Sequence, residues 1–210
     1  MKNYLSINSL IPSFNKVLNI PGDKSLSIRW VLLASQAIGK SKAYNLLESD
    51  DVTSAIISMR KLGVEILKKK RGCYEINGVG LSGFKHKDNL NLNAGNSGTF
   101  ARLLCGTLAG NIMNVNVTGD SSLSKRDFSR VVKPLKLFGI QIKTNKNKLP
   151  ITIKGSKYLR PIFYKEEKGS AQVKSAILLA SLNTPGQTVI KSKISRNHTE
   201  LMFKNCLKIP

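Results

Sequence analysis

Acidic residues, histidine and aromatics are all scarce in this 210-residue chain: 12 Asp and Glu stand against 34 Lys and Arg, with two histidines, one tryptophan and an aromatic share of 6%. Histidine occurs only at His86 and His198, and the three cysteines, Cys73, Cys105 and Cys206, form no C-x-x-C pair. That spacing excludes a zinc cluster and a disulfide framework, and neither metal nor cofactor is expected. No Ser-His-Asp set, Walker loop or dinucleotide fingerprint is present. Long apolar runs are missing too, since Ala176 to Ala180 is far too short to cross a bilayer. The N-terminus lacks the basic start, apolar core and small-residue cleavage site of a secretory signal. A cytoplasmic protein with reduced thiols is therefore expected.

What the chain has is charge, +22 in all, on an otherwise ordinary globular composition with 41% apolar residues. Such a field attracts nucleic acid, phosphorylated metabolites or membrane headgroups alike. Nucleic acid is the first rival, but lysine outnumbers arginine 26 to 8 and no stacking-aromatic pattern accompanies the charge. Much of the charge lies in turn-like runs, Lys68 to Arg71 and Lys143 to Lys148, as at solvated hairpin tips.

The chain also repeats itself. Three segments open on glycine and run into an apolar, helix-like stretch, at Gly22-Asp-Lys-Ser, Gly95-Asn-Ser-Gly-Thr and Gly169-Ser-Ala-Gln; their starts lie 73 and 74 residues apart. Arg29 and Arg102 hold the same offset from their glycines. A strand-like stretch follows each segment, at Lys42 to Leu46, Asn114 to Thr118 and Gln187 to Lys191. Second helices are expected to open at Asp50-Asp51, at Ser124-Lys125-Arg126 and at Ser195-Arg196. Gly63 and Gly139 fit left-handed C-terminal caps. Lysine-tipped hairpins then pair Val64 to Leu67 with Tyr74 to Asn77, and Ile140 to Lys143 with Ile151 to Lys154, closing on Gly78 and Gly155. With Val17 to Ile20 as an opening strand, the unit reads β-α-β-α-β-β. The third copy stops at Ile209-Pro210, where its hairpin is due, so a truncated domain is expected.

Helix N-termini after glycine turns bind phosphate and carboxylate, and three of them related by approximate threefold symmetry would converge. Lys24, Ser25 and Arg29 at the first start supply a point charge, a hydroxyl and a forked donor, although a capping serine with two solvated cations reads equally well. Gly98 in the second copy lets a ligand approach the backbone, or is a plain tight turn. Ser170, Ala171 and Gln172 in the third offer a hydroxyl, N–H groups and an amide, or a simple cap. Lys125-Arg126 and Arg196 as helix-opening cations oppose the macrodipole, which suggests an external anion. Asp50-Asp51 reads as capping, and His198 as structural.

Five pieces resemble the enolpyruvyl transferase family, in its order and across nearly the whole chain: Pro21 to Arg29, Ala94 to Thr99, Thr118 to Arg126, Gly169 to Ser175 and Ser195 to Glu200. The third and fourth are similar to the class II bacterial branch. The resemblance implies an α/β fold of three βαβαββ repeats forming one domain of an inside-out α/β barrel, helices inside and sheets outside, with the third repeat truncated. Residues 21–210 would be the first domain and residues 1–20 a segment partly belonging to an absent second. It implies transfer of the enolpyruvyl group of phosphoenolpyruvate to the 5-hydroxyl of shikimate 3-phosphate, with loss of phosphate, in aromatic amino acid biosynthesis. Lys24, Ser25, Arg29, Ser170, Ala171, Gln172 and Arg196 would bind shikimate 3-phosphate. Lys24, Gly98, Arg126 and Gln172 would face phosphoenolpyruvate, with Lys24 as the catalytic contact. A full-length version would be a monomer and, with glycine at 98, sensitive to glyphosate. Asp127 departs from the family's proline there. Because the family's catalytic carboxylates lie in the second domain, this chain is expected to be inactive by itself. The rivals are the sister enzyme acting on UDP-N-acetylglucosamine, whose Lys-Asn and loop cysteine are absent here, and a non-catalytic anion- or RNA-binding domain.

Overall fold

The computed structural model describes residue 6, residues 8–10, residue 13, residues 15–85 and residues 89–206. His86 falls outside them. Each glycine-led segment becomes a helix: α1 Lys24–Gln36, α3 Gly98–Thr107 and α6 Ala171–Ser181. Ile28, Val31, Leu32, Phe100, Leu103, Leu104, Val173, Ala176, Ile177 and Ala180 on them are fully buried or nearly so. Helices buried nearly all round belong at the centre of a domain. α3 and α6 approach so closely that a Cβ on Gly106 would stand 2.1 Å from the Ala176 carbonyl oxygen.

The described strands form three open sheets. In the first copy, β1 Ile38–Ala43, α2 Asp50–Lys61, β2 Glu65–Lys70 and β3 Cys73–Val79 give the order β1-β3-β2, all antiparallel. In the second, β4 Leu90–Asn93 pairs parallel with β5 Asn114–Thr118, and the hairpin of β6 Gln141–Asn145 and β7 Lys148–Lys154 adds on β5 in the order β4-β5-β7-β6. In the third, β8 Phe163–Glu166 and β9 Val189–Ser192 pair in parallel, and α7 His198–Cys206 follows. The expected hairpins and both left-handed caps are present, Gly63 at φ +83° and Gly139 at φ +96°.

Three expectations are corrected. Val17 to Ile20 forms no strand: it is extended and exposed (Val17 89%), with the Asn45 side chain donating to the Ile20 carbonyl at 3.1 Å. β4 and β8 pair with the strand after the first helix of their own copies, whereas β1 keeps that edge bare of any described strand. The strand expected at Lys42 to Leu46 ends at Ala43, because Asn45 turns left-handed at φ +58°. The second helix of the second copy breaks in two, α4 Ser121–Ser124 and α5 Ser129–Leu137. Asp127 is the cause: its carboxylate accepts the Ser129 N–H at 2.9 Å, a local turn that competes with helix.

Glu48 ties the tip of the first hairpin to the loop before α2. Its Oε1 accepts from the Gly72 N–H (2.9 Å) and the Tyr74 hydroxyl (3.1 Å), and its Oε2 from Lys68 Nζ (2.9 Å). The Gly72 N–H, then Lys68, hold its pKa down at about 2. A depressed carboxylate pKa contributes stability that is complete above the unfolded value and is lost as pH falls toward the folded one. Thermal stability should therefore decline from roughly pH 5 down to pH 2, the interval between unfolded and folded pKa values. The E48Q variant should start lower and decline less steeply in melts across that range, and parallel profiles would refute the assignment.

Candidate functional site

At the first helix start the cap is Asp23, not Ser25: its carboxylate accepts the Leu26 N–H at 2.7 Å. Ser25 is thereby free to accept from Arg29 Nη1 at 2.6 Å. Lys24 is exposed and pairs with Asp51 of α2, Nζ to Oδ2 2.8 Å. Arg29 is only 3% exposed; its Nε donates to Thr199 Oγ1 (2.8 Å) and its Nη2 to Ser175 Oγ (3.0 Å), so it bridges α1, α6 and α7. Burial, and then the nearby Arg196, lower its pKa. Arg196 thus shares the electrostatic neighbourhood of Arg29.

In the second copy Ser97 caps α3, and the turn before it carries Gly95 at φ +57°. Asn96 sits between charges, its amide donating to Asp120 Oδ2 (2.5 Å) and its carbonyl accepting from Arg126 Nη2 (3.0 Å). A Cβ on Gly98 would meet Nη1 of both Arg102 (2.8 Å) and Arg126 (2.9 Å). The two guanidinium groups therefore converge over a bare stretch of backbone at a helix N-terminus. Arg102 also donates from Nη1 to Gln172 Oε1 (3.0 Å) and from Nη2 to the Asp127 carbonyl (3.1 Å), and it lies over the Phe128 ring at 4.8 Å. Burial, then Arg126, lower its pKa.

In the third copy Gly169 takes φ +67° and Ser170 caps α6, its Oγ accepting the Val173 N–H. Ala171 is buried, and Gln172 reaches back to the second copy, Nε2 to Thr99 Oγ1 at 3.0 Å. Gln172, Gly98 and Arg126 are thus one cluster. Lys24 joins it through α2: Asp51 and Ser54 lie one turn apart, and Ser54 Oγ would stand 3.0 Å from a Cβ on Gly95. Contacts thus run from Lys24 through Asp51 to the turn before α3, and from Gly98 and Arg126 through Arg102 to Gln172, with Ser25 and Ser170 at the starts of α1 and α6 and Arg29 one turn into α1.

The argument from helix-opening cations does not survive at Lys125-Arg126. Lys125 is the C-cap of α4 and Arg126 lies in the break before α5, while Arg196 precedes α7 by two residues. A cation after a helix C-terminus agrees with the macrodipole. What favours an anion here is instead the meeting of Arg102 and Arg126 at Gly98. Asp51 and Arg102 were missed as site members. The first read as a cap, although Ser49 holds that position, and the second carried a signal in its shared offset with Arg29. Among the described residues no three His, Cys, Asp or Glu side chains group as metal ligands, and no helix is long and apolar enough to cross a membrane.

The sequence profile of EPSP synthase (3-phosphoshikimate 1-carboxyvinyltransferase) matches residues 11–207. The chain is similar to proteins named 3-phosphoshikimate 1-carboxyvinyltransferase from Streptococcus mutans, at 47% identity over 89% of this chain and 44% of that protein, and from Paracoccus denitrificans, at 42% over 88% and 42%. A solved EPSP synthase from Acinetobacter baumannii superposes with a TM-score of 0.84 at 40% identity, covering 89% of this chain and 42% of that one. The chain therefore spans less than half the length of the curated relatives it matches. A profile match over nearly all residues, agreeing with the fold and with the glycine-led helix starts, places the chain in the EPSP synthase family.

Proposed function

We propose that this chain carries the first-domain share of an active site that transfers the enolpyruvyl group of phosphoenolpyruvate to the 5-hydroxyl of shikimate 3-phosphate. The hydroxyl attacks C2 as C3 is protonated, and the tetrahedral adduct then expels phosphate. The observation that carries the reading is the meeting of Arg102 and Arg126 over the bare backbone of Gly98, bonded through Gln172 to the start of α6. Preorganised donors of this kind stabilise charge that develops on a phosphoryl or carboxylate oxygen without reorganising. Lys24, Gly98, Arg126 and Gln172 would face phosphoenolpyruvate, with Lys24 contacting the transition state. Ser25, Arg29, Ser170, Ala171 and Arg196, with Lys24 and Gln172, would bind shikimate 3-phosphate. The fold proposed with it has three βαβαββ units with helices inside and sheets outside. The central burial of α1, α3 and α6 supports that arrangement. Residues 21–210 would form this domain, and residues 1–20 a segment shared with a second.

Acidic side chains described at the site are engaged: Asp51 with Lys24, Asp120 with Asn96 and the Leu123 N–H, Asp127 with Ser129. None is poised as a base for the hydroxyl. Calorimetry on the 210-residue chain should show saturable binding of shikimate 3-phosphate, none of a generic RNA at equal charge, and no turnover when phosphoenolpyruvate is added. Tighter RNA binding, or product, would overturn the proposal. In the same titration G98A should keep its fold, because the added methyl meets the ends of two arginine side chains and, at an ordinary 3.6 Å, Leu123 Cδ1, with no backbone in its way. Its phosphoenolpyruvate affinity should fall roughly 5- to 30-fold, the equivalent of one or two charged hydrogen bonds. An unchanged affinity would remove Gly98 from that site.

A further inference from the structure

Glu166 is a carboxylate the proposed reaction does not use, and it lies against the ligand-binding turn. It ends β8 and is 4% exposed. Its Oε2 accepts the Ser170 N–H (2.8 Å), and its Oε1 accepts Arg130 Nη2 (3.0 Å) and the Lys168 N–H (3.3 Å). Between those two amides Gly169 turns left-handed, packed so that a Cβ would lie 3.1 Å from the Ile194 carbonyl. Burial acts to raise the Glu166 pKa, but the Ser170 N–H and Arg130 outweigh it and hold the group ionised.

We propose that Glu166 and Arg130 are a positioning pair that fixes the Lys168–Gly169–Ser170 turn and sets its distance from the Arg126 loop. The inference rests on the reading of α6's start as a shikimate 3-phosphate contact. A carboxylate is an acceptor through both oxygens, so one buried side chain can take two backbone amides and a guanidinium at once. Doing so removes the freedom of a glycine turn just where Ser170 Oγ, the Ala171 N–H and Gln172 must present one arrangement. Arg130 belongs to α5 of the second copy and stands four residues after Arg126; with Arg126 it lowers the pKa of Arg102. The pair therefore links the loop proposed to hold phosphoenolpyruvate to the turn proposed to hold shikimate 3-phosphate. Its charge is balanced by Arg130, which lets an acid sit beside an anion site.

The test is E166Q, with R130A as companion. Glutamine is isosteric and opens no cavity, but its amide nitrogen must face a donor, either Ser170 N–H or Arg130. In the unliganded chain, amide exchange at Lys168 and Ser170 should quicken about tenfold in both variants, while exchange in the cores of α1 and α3 stays put. The Kd for shikimate 3-phosphate, measured well below the melting transition, should rise about tenfold, the scale of an unsupported first contact. Unchanged exchange would overturn the positioning role. Faster exchange with an unchanged Kd would reduce the pair to a structural tie and overturn the link to ligand. Should the unsubstituted chain fail to bind shikimate 3-phosphate, the proposed function falls and the ligand link with it; the exchange arm then decides the turn alone.

Discussion

Replacing Gly106 by valine should lower the melting temperature by roughly 6–20 °C. Exposed helical glycines behave oppositely: substitution by alanine gains up to about 1 kcal/mol of helix propensity. Here the Cβ would fall 2.1 Å from the Ala176 oxygen, 2.9 Å from its carbonyl carbon and 3.0 Å from its Cα. All three are backbone atoms of α6, so no rotamer change gives relief. The two helices would have to separate, and apolar residues that they carry, Leu103, Leu104, Val173 and Ile177, are almost wholly buried. Separation opens voids along that seam while straining what remains in contact. Overpacking of this kind costs about 1–3 kcal/mol when side chains can yield and more when backbone must. Roughly 3–5 kcal/mol is expected for valine, against a total stability of about 5–15 kcal/mol for a typical domain. Alanine should show the same sign at about half the size. Circular dichroism melts decide it, and a G106A variant at least as stable as the parent would show that α3 and α6 do not touch.

Gly78 and Gly155 show how far the sequence could be read. The repeat marked both as the glycines on which the hairpins close, and that is where they lie. Their reason is tertiary. A Cβ on Gly78 would stand 2.3 Å from the carbonyl oxygens of Ala34 and Ala37, and one on Gly155 2.2 Å from that of Asn111 and 2.5 Å from that of Leu108. In the first two copies the returning strand crosses the carbonyls at the C-terminal end of the copy's first helix, and only a residue without a side chain passes. Caps, hairpins and apolar helix faces were legible because their physics spans a few residues. The bonds that assemble the site were not: Arg102 meets Gln172 across 70 positions and Arg29 meets Thr199 across 170. Asp127 was visible as a departure from the family's proline, but the break there was not. Its effect, an aspartate turn that splits a helix and strands Arg126 outside it, depended on which N–H the carboxylate captured.

Arg29→Met should cost the chain more in stability than in affinity. Four of the guanidinium's N–H groups face protein acceptors: Nε with Thr199, Nη1 with the Ser25 carbonyl and hydroxyl, Nη2 with Ser175. One Nη2 N–H is left for a ligand oxygen. Methionine fills much of the volume but leaves Ser25 and Thr199 without their donor, and it releases α7 from α1. Thr199 and Ser175 keep each other, hydroxyl to hydroxyl at 2.7 Å, which limits the damage. The arginine's own burial is a penalty that the substitution relieves. The balance is a loss of about 3 kcal/mol, two to three charge-assisted hydrogen bonds less the relieved desolvation. For a chain of this size that lowers Tm by roughly 6–12 °C. Loss of the single remaining N–H should weaken shikimate 3-phosphate by only about 1.5–3 kcal/mol, roughly 10- to 150-fold. Arg29→Lys restores charge without the fork and should recover less than half of the stability, because a lysine ammonium cannot span Thr199, Ser25 and Ser175 together. A methionine variant that melts with the parent yet fails to bind shikimate 3-phosphate would reverse the order, making Arg29 a ligand contact first and a bridge between helices second.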